Sequence, residues 1–288
     1  MSQSLISVIT LTHNKLEVTR RCLPTLLHST GVPWELLVVD NGSTDGTGEW
    51  LDAFQKEAAR QRVGVTVIKN KGNIGCSTAR NQATAQARGA TLVYMDNDIA
   101  LRSKFWLKRM SDVLVADARR GMVGPKLVYP LPPYRIQCAG AAVAPTGRIQ
   151  FRGRGEDRGD PQFNTPDEVQ CLISACCMVK SSVIQECGGF DEAFNPVEFE
   201  DIDLCYRIRS RGYTIHYVPD VEMYHFESVT TGGTPSLPNT RLIVENGLLF
   251  KRRWRHMFEN ESGPSDKAAR WRHLPRYRFS EVGELPVI

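Results

Sequence analysis

Two aspartates follow an apolar run in the stretch TLVYMDNDI, residues 91–99. The run is short and β-prone, which is typical of an interior strand of a parallel sheet. Ligands of open α/β sheets bind beyond the carboxyl ends of the strands, so Asp96, Asn97 and Asp98 stand where a substrate would lie. Two carboxylates one residue apart can share a hard cation such as Mg²⁺, which leaves positions for phosphate oxygens. We therefore predict a metal and diphosphate site, with solvated turn-forming acids as the alternative.

A second acidic group lies in FEDIDLCYRIRSR, residues 199–211, which has helical spacing. Positions 201, 204, 205 and 208 share one face, and the last three are apolar. Asp201 therefore heads an inward face, while Asp203 can pair outward with Arg207. A partly desolvated Asp201 in a cleft is a candidate general base. The helix dipole alone also favours an acid in the first turn, so that alternative stays open.

Three further side chains could supply charge or ligands. His225, in VEMYHFES, has an imidazole that suits a divalent transition metal, although a lone histidine beside aromatic residues is usually a packed core residue. Lys71 and Arg80 flank a Gly-rich turn before a helix, where cations and the helix N-terminus can meet phosphate. A solvated charged face explains Lys71 equally well.

The elements that must position these residues alternate between strand and helix. Strands are predicted at 6–11, 35–39, 63–69 and 91–95, and a helical pattern separates each pair. This spacing predicts right-handed parallel βαβ units, and hence one doubly wound half over about the first 100 residues. Neither a GxGxxG nor a P-loop pattern follows any of these strands, which argues against both kinds of nucleotide fingerprint.

Beyond residue 100 the pattern becomes mixed. We expect a helix at 103–118 with Phe105 facing inward, strands at 121–129, 171–180 and 213–218, a hairpin at 136–151, and a helix at 240–260. The segments 152–167 and 228–239 are expected to be flexible, because they are Gly-rich or polar with few apolar anchors. The residues after 260 are expected to be poorly ordered unless they dock.

The composition is that of an ordinary soluble protein with a mildly basic charge. The 288 residues are 41% hydrophobic and 24% charged, and the net charge of +4 suits anionic ligands without indicating a nucleic-acid partner. The eight cysteines show no CxxC pair or zinc-like spacing, so we interpret them as reduced, buried thiols. The start of the chain is not signal-like and no run reaches about 18 apolar residues, so a cytoplasmic location is expected.

Taken together, these segments resemble a known family. In their order and spacing they are similar to the motifs of family 2 glycosyltransferases with the GT-A fold, over residues 5 to about 230. The segments are ISVITLTHN, LLVVDNGSTDGT, NKGNIGCSTARN, YMDNDI, GGFDEAF with FEDIDLCYRIRSRGY, and MYHFES. The resemblance implies an α/β fold with a Rossmann-like, mostly parallel central sheet flanked by helices, a small antiparallel portion and a C-terminal helix. It implies a transferase domain at 1–230, with a nucleotide-binding half (about 1–100) and an acceptor half (about 101–230). Residues 231–288 would be a linker, a helix and a polar tail.

The resemblance also implies roles for residues of the nucleotide half. Leu11, Thr12 and His13 are similar to a nucleoside-binding Pro-Thr-Tyr turn, with Leu and His as replacements. Asp40 corresponds to an aspartate that hydrogen-bonds the pyrimidine edge. The other residues implied to bind the nucleotide sugar are Asn73, Arg80, Asp96 and Asn97.

The implied reaction moves a sugar from a nucleoside-diphosphate sugar to an acceptor hydroxyl, with inversion in a single displacement. Asp98 and His225 would bind a divalent cation, Mn²⁺ or Mg²⁺, which neutralises charge on the leaving diphosphate. Asp201 would be the catalytic base, with Glu200 beside it available to the acceptor. The motifs do not separate UDP-, dTDP- and GDP-sugar donors, and the resemblance favours a cell-surface polysaccharide or lipid-linked glycan as acceptor. The segments 152–167 and 228–239 would close over both substrates.

Two other functions and one membrane question stay open. A sugar-phosphate nucleotidylyltransferase would need a Gly-rich phosphate loop after the first strand, which LTHNK lacks. A non-catalytic nucleotide-sugar-binding protein is the third possibility, although intact Asp98 and Asp201 argue against it. The C-terminal helix, with the sequence LLFKRRWRHMFEN, could make a peripheral contact with an anionic membrane, or dock on the domain with a solvated basic side.

Overall fold

The first half of the chain is a parallel sheet with helical crossovers. The structure, a computed structural model, describes residues 4–227, 240–268 and 277–288. Four strands, β1 (Ile6–Thr12), β2 (Trp34–Asp40), β3 (Gly64–Lys69) and β4 (Thr91–Asp96), alternate with helices α1 (Leu16–Cys22), α2 (Thr47–Arg60) and α3 (Cys76–Thr84). They pair in parallel in the order β4–β1–β2–β3. The predicted doubly wound half is therefore confirmed.

The second half adds shorter, mixed elements. Its strands are β5 (Ile99–Leu101), β6 (Arg120–Val128), β7 (Ile136–Cys138), β8 (Ala141–Val143), β9 (Ile149–Phe151), β10 (Asp167–Glu168), β11 (Cys176–Lys180) and β12 (Thr214–His225). Its helices are α4 (Trp106–Val115), α5 (Ser181–Cys187), α6 (Glu200–Ser210) and α7 (Thr240–Phe258). Short 3₁₀ helices lie at Leu23–His28, Pro161–Phe163, Glu192–Phe194, Asp266–Ala268 and Phe279–Glu281.

One large sheet joins the two halves and determines where the site lies. Its described strands follow the order β10–β12–β6–β11–β4–β1–β2–β3, with β5 beside β12 and β7 beside β6. Strand β11 is antiparallel to both β4 and β6, whereas β12 is parallel to β6, so β12 runs in the same direction as β4. The carboxyl ends of β1, β4 and β12 and the beginning of β11 therefore share one edge of the sheet.

Both faces of the sheet are covered, which explains the continuous apolar runs of the inner strands. Val8 packs in a core with α2 and α4, whereas the next residue, Ile9, packs in a second core with α3, α5, α6 and α7. All eight cysteines are free thiols, seven of them buried and Cys76 half-buried.

Four expectations for the second half are corrected by the structure. Phe105 precedes the first turn of α4 and is 48% exposed, so it does not face inward. The strand predicted at 171–180 begins only at Cys176, as β11, and residues 171–175 are irregular. The strand predicted at 213–218 continues to His225, as β12, through a register shift that accommodates Pro219. The hairpin is narrower than expected and consists of β8 and β9.

The segment 152–167, which was expected to be a flexible loop, is anchored to the sheet. Phe163 is buried, and its carbonyl oxygen accepts a hydrogen bond of 2.9 Å from the Tyr217 hydroxyl. The fully buried Lys126 of β6 donates from Nζ to the Arg158 carbonyl oxygen at 3.1 Å. One aromatic anchor and one buried cation thus hold a segment whose composition predicts mobility. The other expected loop, 228–239, lies outside the described residues.

The C-terminal helix docks on the domain, as one of the two alternatives predicted. Phe250, Trp254 and Phe258 are buried, and the Trp254 ring lies 5.6 Å from the Tyr206 ring. Residues 277–288 dock as well, since the backbone N–H of Ile288 donates to the Arg102 carbonyl oxygen. None of the helices in the described part of the chain is both long and apolar enough to cross a membrane. The expected boundary near residue 230 falls outside the described residues and stays a prediction.

Candidate functional site

A cavity of about 600 Å³ lies at the shared edge of the sheet. Its wall combines the carboxyl ends of β1, β4 and β12 with the N-terminal turns of α3 and α6. The predicted site residues that line it are Thr12, His13, Asn73, Arg80, Asp96, Asn97, Asp98, Glu200, Asp201 and His225. Residues from distant parts of the chain therefore converge on one cavity.

Asp96, Asp98 and His225 form a cluster in which one ligand atom from each lies within 4.8 Å of the others. Asp96 ends β4, Asp98 directly precedes β5, and His225 is paired with the first residue of β5, so the sheet itself brings them together. His225 Nε2 is 3.5 Å from Asp98 Oδ1, and that buried oxygen has no hydrogen-bond partner among the described residues. An orphaned carboxylate oxygen facing an imidazole fits a divalent cation.

The charges of this cluster perturb one another. Burial raises the pKa of Asp96 to about 6, against the effect of Arg80, and the neighbouring Asp98 contributes to the rise. Burial alone would lower the pKa of His225, but the Asp98 carboxylate outweighs it and raises that pKa above its ordinary value. The cluster thus holds an excess of negative charge that a bound cation would neutralise.

Arg80 joins the two halves of the site. Its Nη1 donates to Glu200 Oε1 at 2.8 Å and its Nη2 donates to Asp96 Oδ1 at 3.0 Å. The guanidinium is buried and lies over the Phe190 ring at 5.1 Å. A planar fork holds several donors in fixed directions and suits two carboxylates at separate positions, whereas an ammonium group is a single point charge without that fixed geometry.

Asp201 lies in the first turn of α6 and faces the cavity. Its Oδ2 accepts a hydrogen bond from the Ser174 backbone N–H at 3.0 Å, and Oδ1 accepts one from the Ile202 N–H at 2.7 Å. Burial raises the pKa of Asp201 to about 7, and the adjacent Glu200 adds to the rise. A carboxylate with that pKa can both take a proton and release it near neutral pH.

The expectation that Asp203 pairs outward is wrong. Asp203 is fully buried beneath α7, where it accepts hydrogen bonds from Arg207 Nε at 2.7 Å and from Trp254 Nε1 at 2.8 Å. Arg253 also donates to it at 2.7 Å. The helical spacing correctly predicts the Arg207 contact, but the docking of α7 makes that face interior.

At the carboxyl end of β1, polar contacts order the turn. The Thr12 hydroxyl lies 3.0 Å from the Thr19 hydroxyl, and Asn97 Nδ2 donates to that same Thr19 oxygen at 2.9 Å. His13 Nδ1 lies 2.9 Å from the Asn41 carbonyl oxygen. Thr12, His13 and Asn97 therefore line the cavity as parts of one hydrogen-bonded network.

Beside β2 the cavity is lined by Asn41, and Asp40 is not among the described residues that line it. Asp40 Oδ1 accepts a hydrogen bond from the Ser43 backbone N–H at 2.9 Å, which stabilises the turn. Asn41 Nδ2 donates to Asn73 Oδ1 at 2.9 Å, so Asn73 is held at the cavity by its neighbour. Lys71 is exposed and does not line the cavity. Asn41 could have been found from the sequence, since it directly follows the predicted Asp40.

A strained turn before α6 is held by a residue that no sequence pattern indicates. Glu198 and Phe199 adopt positive φ angles of 87° and 70°, which non-glycine residues rarely do. Asn246 of α7 is buried, and its Nδ2 lies 3.0–3.1 Å from three carbonyl oxygens of this turn, those of Phe194, Val197 and Glu198. A remote helix thus fixes the approach to Asp201. Gln137, Phe151 and Glu227 also line the cavity without any sequence signal.

Comparison with known sequences finds related glycosyltransferases. A family model described as Glycosyl transferase family 2 matches residues 7–188. An uncharacterized Sinorhizobium fredii protein, y4gI, is 31% identical over 261 residues, which are 87% of this chain and 28% of that protein. The N-acetylglucosaminyl-diphospho-decaprenol L-rhamnosyltransferase of Mycobacterium tuberculosis is 29% identical over 253 residues, 80% of this chain and 79% of that enzyme. This chain thus spans little of the first relative and most of the second.

Solved structures agree on the fold. GalNAc-T7 with UDP, GalNAc and Mn²⁺ matches 90% of this chain and 49% of its own with a TM-score of 0.71 at 16% identity. The Pyrobaculum calidifontis mannosyltransferase PcManGT, in complex with GDP-Man and Mn²⁺, matches 92% of this chain and 67% of its own with a TM-score of 0.62 at 20% identity. With a family model matching 182 residues of sequence and this likeness of structure, the chain belongs to glycosyltransferase family 2 and has the GT-A fold.

Proposed function

We propose that the chain is an inverting, metal-dependent glycosyltransferase that moves a sugar from a nucleoside-diphosphate sugar to an acceptor hydroxyl. The observation that carries the proposal is that one cavity holds both the Asp96–Asp98–His225 cluster and the Asp201 carboxylate. The first suits a cation with a diphosphate, and the second suits a general base. A protein that only binds nucleotide sugars has no need of the second group.

In the proposed reaction Asp201 accepts the proton of the acceptor hydroxyl while that oxygen attacks the anomeric carbon. The bond from this carbon to the diphosphate oxygen breaks with its electron pair, and the anomeric configuration inverts in one displacement. Asp98 and His225 would hold the divalent ion with Asp96 beside them, and the bound ion neutralises charge on the leaving diphosphate. Arg80 keeps Asp96 and Glu200 in place, so both ends of the reaction are positioned by one buried cation.

The cavity wall and the names of the relatives support particular classes of donor and acceptor. Thr12, His13, Asn73 and Asn97 would bind the nucleotide portion, and the pyrimidine contact of Asp40 stays a prediction. The Mn²⁺ in the two solved neighbours supports Mn²⁺ as the ion, and their UDP and GDP-Man support a nucleoside diphosphate as the leaving group. The name of the mycobacterial rhamnosyltransferase supports a lipid-linked glycan as the acceptor, and that of the Myxococcus xanthus O-antigen biosynthesis protein supports a cell-surface polysaccharide.

Two substitutions test the proposal. Asp201→Asn should lower the transfer rate by about 10²–10⁴-fold, while donor affinity measured by calorimetry stays unchanged, because only proton transfer is lost. Asp98→Ala should instead abolish the part of donor affinity that depends on Mn²⁺. Asp112→Asn, at an exposed position of α4, is the matched control. Near-normal turnover of Asp201→Asn, or unchanged donor affinity of Asp98→Ala in Mn²⁺, would contradict the assignments.

We also propose that an exposed stripe of α7 contacts an anionic membrane, where a lipid-linked acceptor would be presented. Val244 and Leu248 are 54% and 51% exposed, and Arg241 and Arg252 extend the same face at helical spacing. Apolar side chains flanked by arginine suit an interface with acidic headgroups. The aromatic side of α7 is already buried against the domain, whereas this stripe is exposed to solvent.

Co-sedimentation with vesicles that contain anionic lipid tests the membrane contact. Replacing Val244 and Leu248 with serine should lower the bound fraction, because the buried apolar area is lost. Val115→Ser is the control, since Val115 is an exposed apolar residue on α4. Equal binding of the wild type and the double variant would refute the contact.

A further inference from the structure

A chain of hydrogen-bonded polar side chains leads away from His225 on the side opposite Asp98. Gln137, the middle residue of β7, is fully buried, and its Oε1 lies 3.1 Å from His225 Nδ1. Its other terminal atom, Nε2, donates to Glu227 Oε1 at 3.0 Å. Glu227 in turn receives both Arg154 Nη atoms at 2.7 and 2.9 Å and the Tyr129 hydroxyl at 2.9 Å.

Arg154, the last residue of this chain of hydrogen bonds, determines which group donates and which accepts in each of them. Arg154 can only donate, so the Glu227 carboxylate that it grips with both Nη atoms serves as the acceptor. Gln137 must therefore turn its NH₂ group toward Glu227, which leaves its carbonyl oxygen facing His225. A carbonyl oxygen can only accept, so His225 Nδ1 must carry a proton. A neutral imidazole with its proton on Nδ1 has a free lone pair on Nε2, the nitrogen that lies 3.5 Å from Asp98 Oδ1.

We propose that Gln137, oriented by Glu227 and Arg154, is a positioning residue that holds His225 in the tautomer whose Nε2 can bind the ion. The inference rests on the proposed function, because it deepens the role given there to His225. Hydrogen-bonded partners behind a metal-binding histidine fix its tautomer and ring orientation, and their loss typically weakens metal binding by about 10–100-fold.

The proposal also assigns a task to the segment 152–167. Arg154 belongs to this segment, and its guanidinium lies over the Phe151 ring at 5.5 Å. Phe151 itself lines the cavity. The segment thus reaches the ion site through Arg154, Glu227 and Gln137, as a support behind His225.

The first experiment measures Mn²⁺ affinity by the electron paramagnetic resonance signal of the free ion. We expect Gln137→Leu to weaken binding by about 10–100-fold, and His225→Asn to weaken it at least as much. Gln150→Leu is the matched control, because Gln150 of β9 is half-buried and its Nε2 faces carbonyl oxygens of 264 and 265 instead. Its affinity should equal that of the wild type.

A swapped pair distinguishes a directional role from simple packing. In the double variant Gln137→Glu with Glu227→Gln, a carboxylate accepts from His225 Nδ1 and the new amide donates to it, so the direction of the hydrogen bonds is preserved. We expect the double variant to bind Mn²⁺ more tightly than Gln137→Leu. A packing role alone predicts no such rescue, so a double variant as weak as Gln137→Leu would overturn the proposal.

A second measurement needs no metal and no substrate. Nitrogen-15 spectra of the metal-free protein, recorded above the raised pKa of His225 so that the imidazole is neutral, should show His225 with a protonated Nδ1 and an unprotonated Nε2, the signal being assigned by its loss in His225→Asn. Glu227→Gln should produce a mixture of tautomers, because a neutral amide no longer dictates which way Gln137 points. A neutral imidazole with its proton on Nε2 in the wild type would overturn the proposal, and this result decides the matter if Gln137→Leu does not fold.

The two experiments separate failure of the inference from failure of the proposed function. Wild-type Mn²⁺ affinity in Gln137→Leu, together with weak binding in His225→Asn, would overturn the positioning role and leave the metal site intact. Wild-type affinity in both variants would remove His225 from the metal site, and the positioning role would fall with it.

Discussion

The proposed nucleotide half, about residues 1–100, and the proposed acceptor half, about residues 101–230, place their site residues in different ways. In the nucleotide half several site residues directly end or follow their own strand: Thr12 ends β1, Asn41 follows β2, and Asp96 ends β4. In the acceptor half, His225 reaches the cavity only because β12 continues through a register shift, and Asp201 follows a strained turn held by α7.

This difference in how the site residues are positioned shows which contacts each half depends on. Parallel βαβ units bring strand ends together through local order, so the nucleotide residues need few remote partners. The acceptor half relies on contacts between residues far apart in sequence, such as those between Asn246 and the turn before α6. Arg80 links the two halves, because it belongs to the first half and donates a hydrogen bond to Glu200 of the second.

Among the substitutions that test this comparison of the two halves, the removal of Arg80 should have the largest effect. Arg80→Met leaves Glu200 and Asp96 without their shared cation, so the free energy of unfolding in urea should fall by about 3–5 kcal/mol. The transfer rate should fall by about 10²-fold, since both ends of the site shift. Arg80→Lys should give values between those of the wild type and of Arg80→Met, because the ammonium keeps the positive charge but lacks the fixed fork that reaches both carboxylates.

Arg60→Met is the control for Arg80, because Arg60 makes an exposed ion pair with Glu57. Its unfolding free energy should change by less than about 1 kcal/mol. If Arg80→Met kept both wild-type stability and activity, the two halves would not be coupled through this residue.

The pH dependence of kcat/KM tests the proposed role of Asp201 in the acceptor half. Because the pKa of Asp201 is raised to about 7, the base is protonated and inactive below that pH and ionised above it. With Mn²⁺ saturating, kcat/KM should rise by about tenfold per pH unit up to neutrality and then level off. Glu200→Gln removes a negative neighbour, so the inflection should move to lower pH.

Two outcomes would contradict the assignment of the base. One is a flat profile between about pH 5 and 9, and the other is an inflection that moves to higher pH in Glu200→Gln. Asp112→Asn, remote from the site, should keep the wild-type profile.

The smallest effect is expected from removing the Asn246 side chain, which holds the turn before α6. Asn246→Ala removes the donor to three carbonyl oxygens, so kcat should fall by about tenfold and the free energy of unfolding by about 1–3 kcal/mol. The KM for the donor should stay unchanged, because the nucleotide half keeps all its contacts. Steady-state kinetics with urea unfolding measures both.

Asn246→Asp should behave like the alanine variant, since a carboxylate cannot donate to carbonyl oxygens. Asn260→Ala is the control, because Asn260 is exposed just beyond the end of the same helix. A change in donor KM that is as large as the change in kcat would show that the halves are not separable in this way.

Prediction from sequence succeeded where the determinants are local. The strands of the first half and the helix with Asp201 follow from apolar runs and helical spacing, and each acid marks a strand end or a first helical turn. It failed for Phe105 and Asp203, whose exposure depends on what docks over them. It also failed for the segment 152–167, because the buried Phe163 and the buried Lys126 hold in place a segment whose composition predicts mobility.

By itself, the sequence determined the kinds of residue available for chemistry and the order of the elements that carry them, because both depend on neighbours along the chain. Tertiary structure alone decided that β12 runs beside β6 far enough to bring His225 to Asp98. It also decided that Gln137 and Asn246 support the site from behind. These contacts join residues that are many tens of positions apart, and only the packing of the sheet and α7 makes them neighbours.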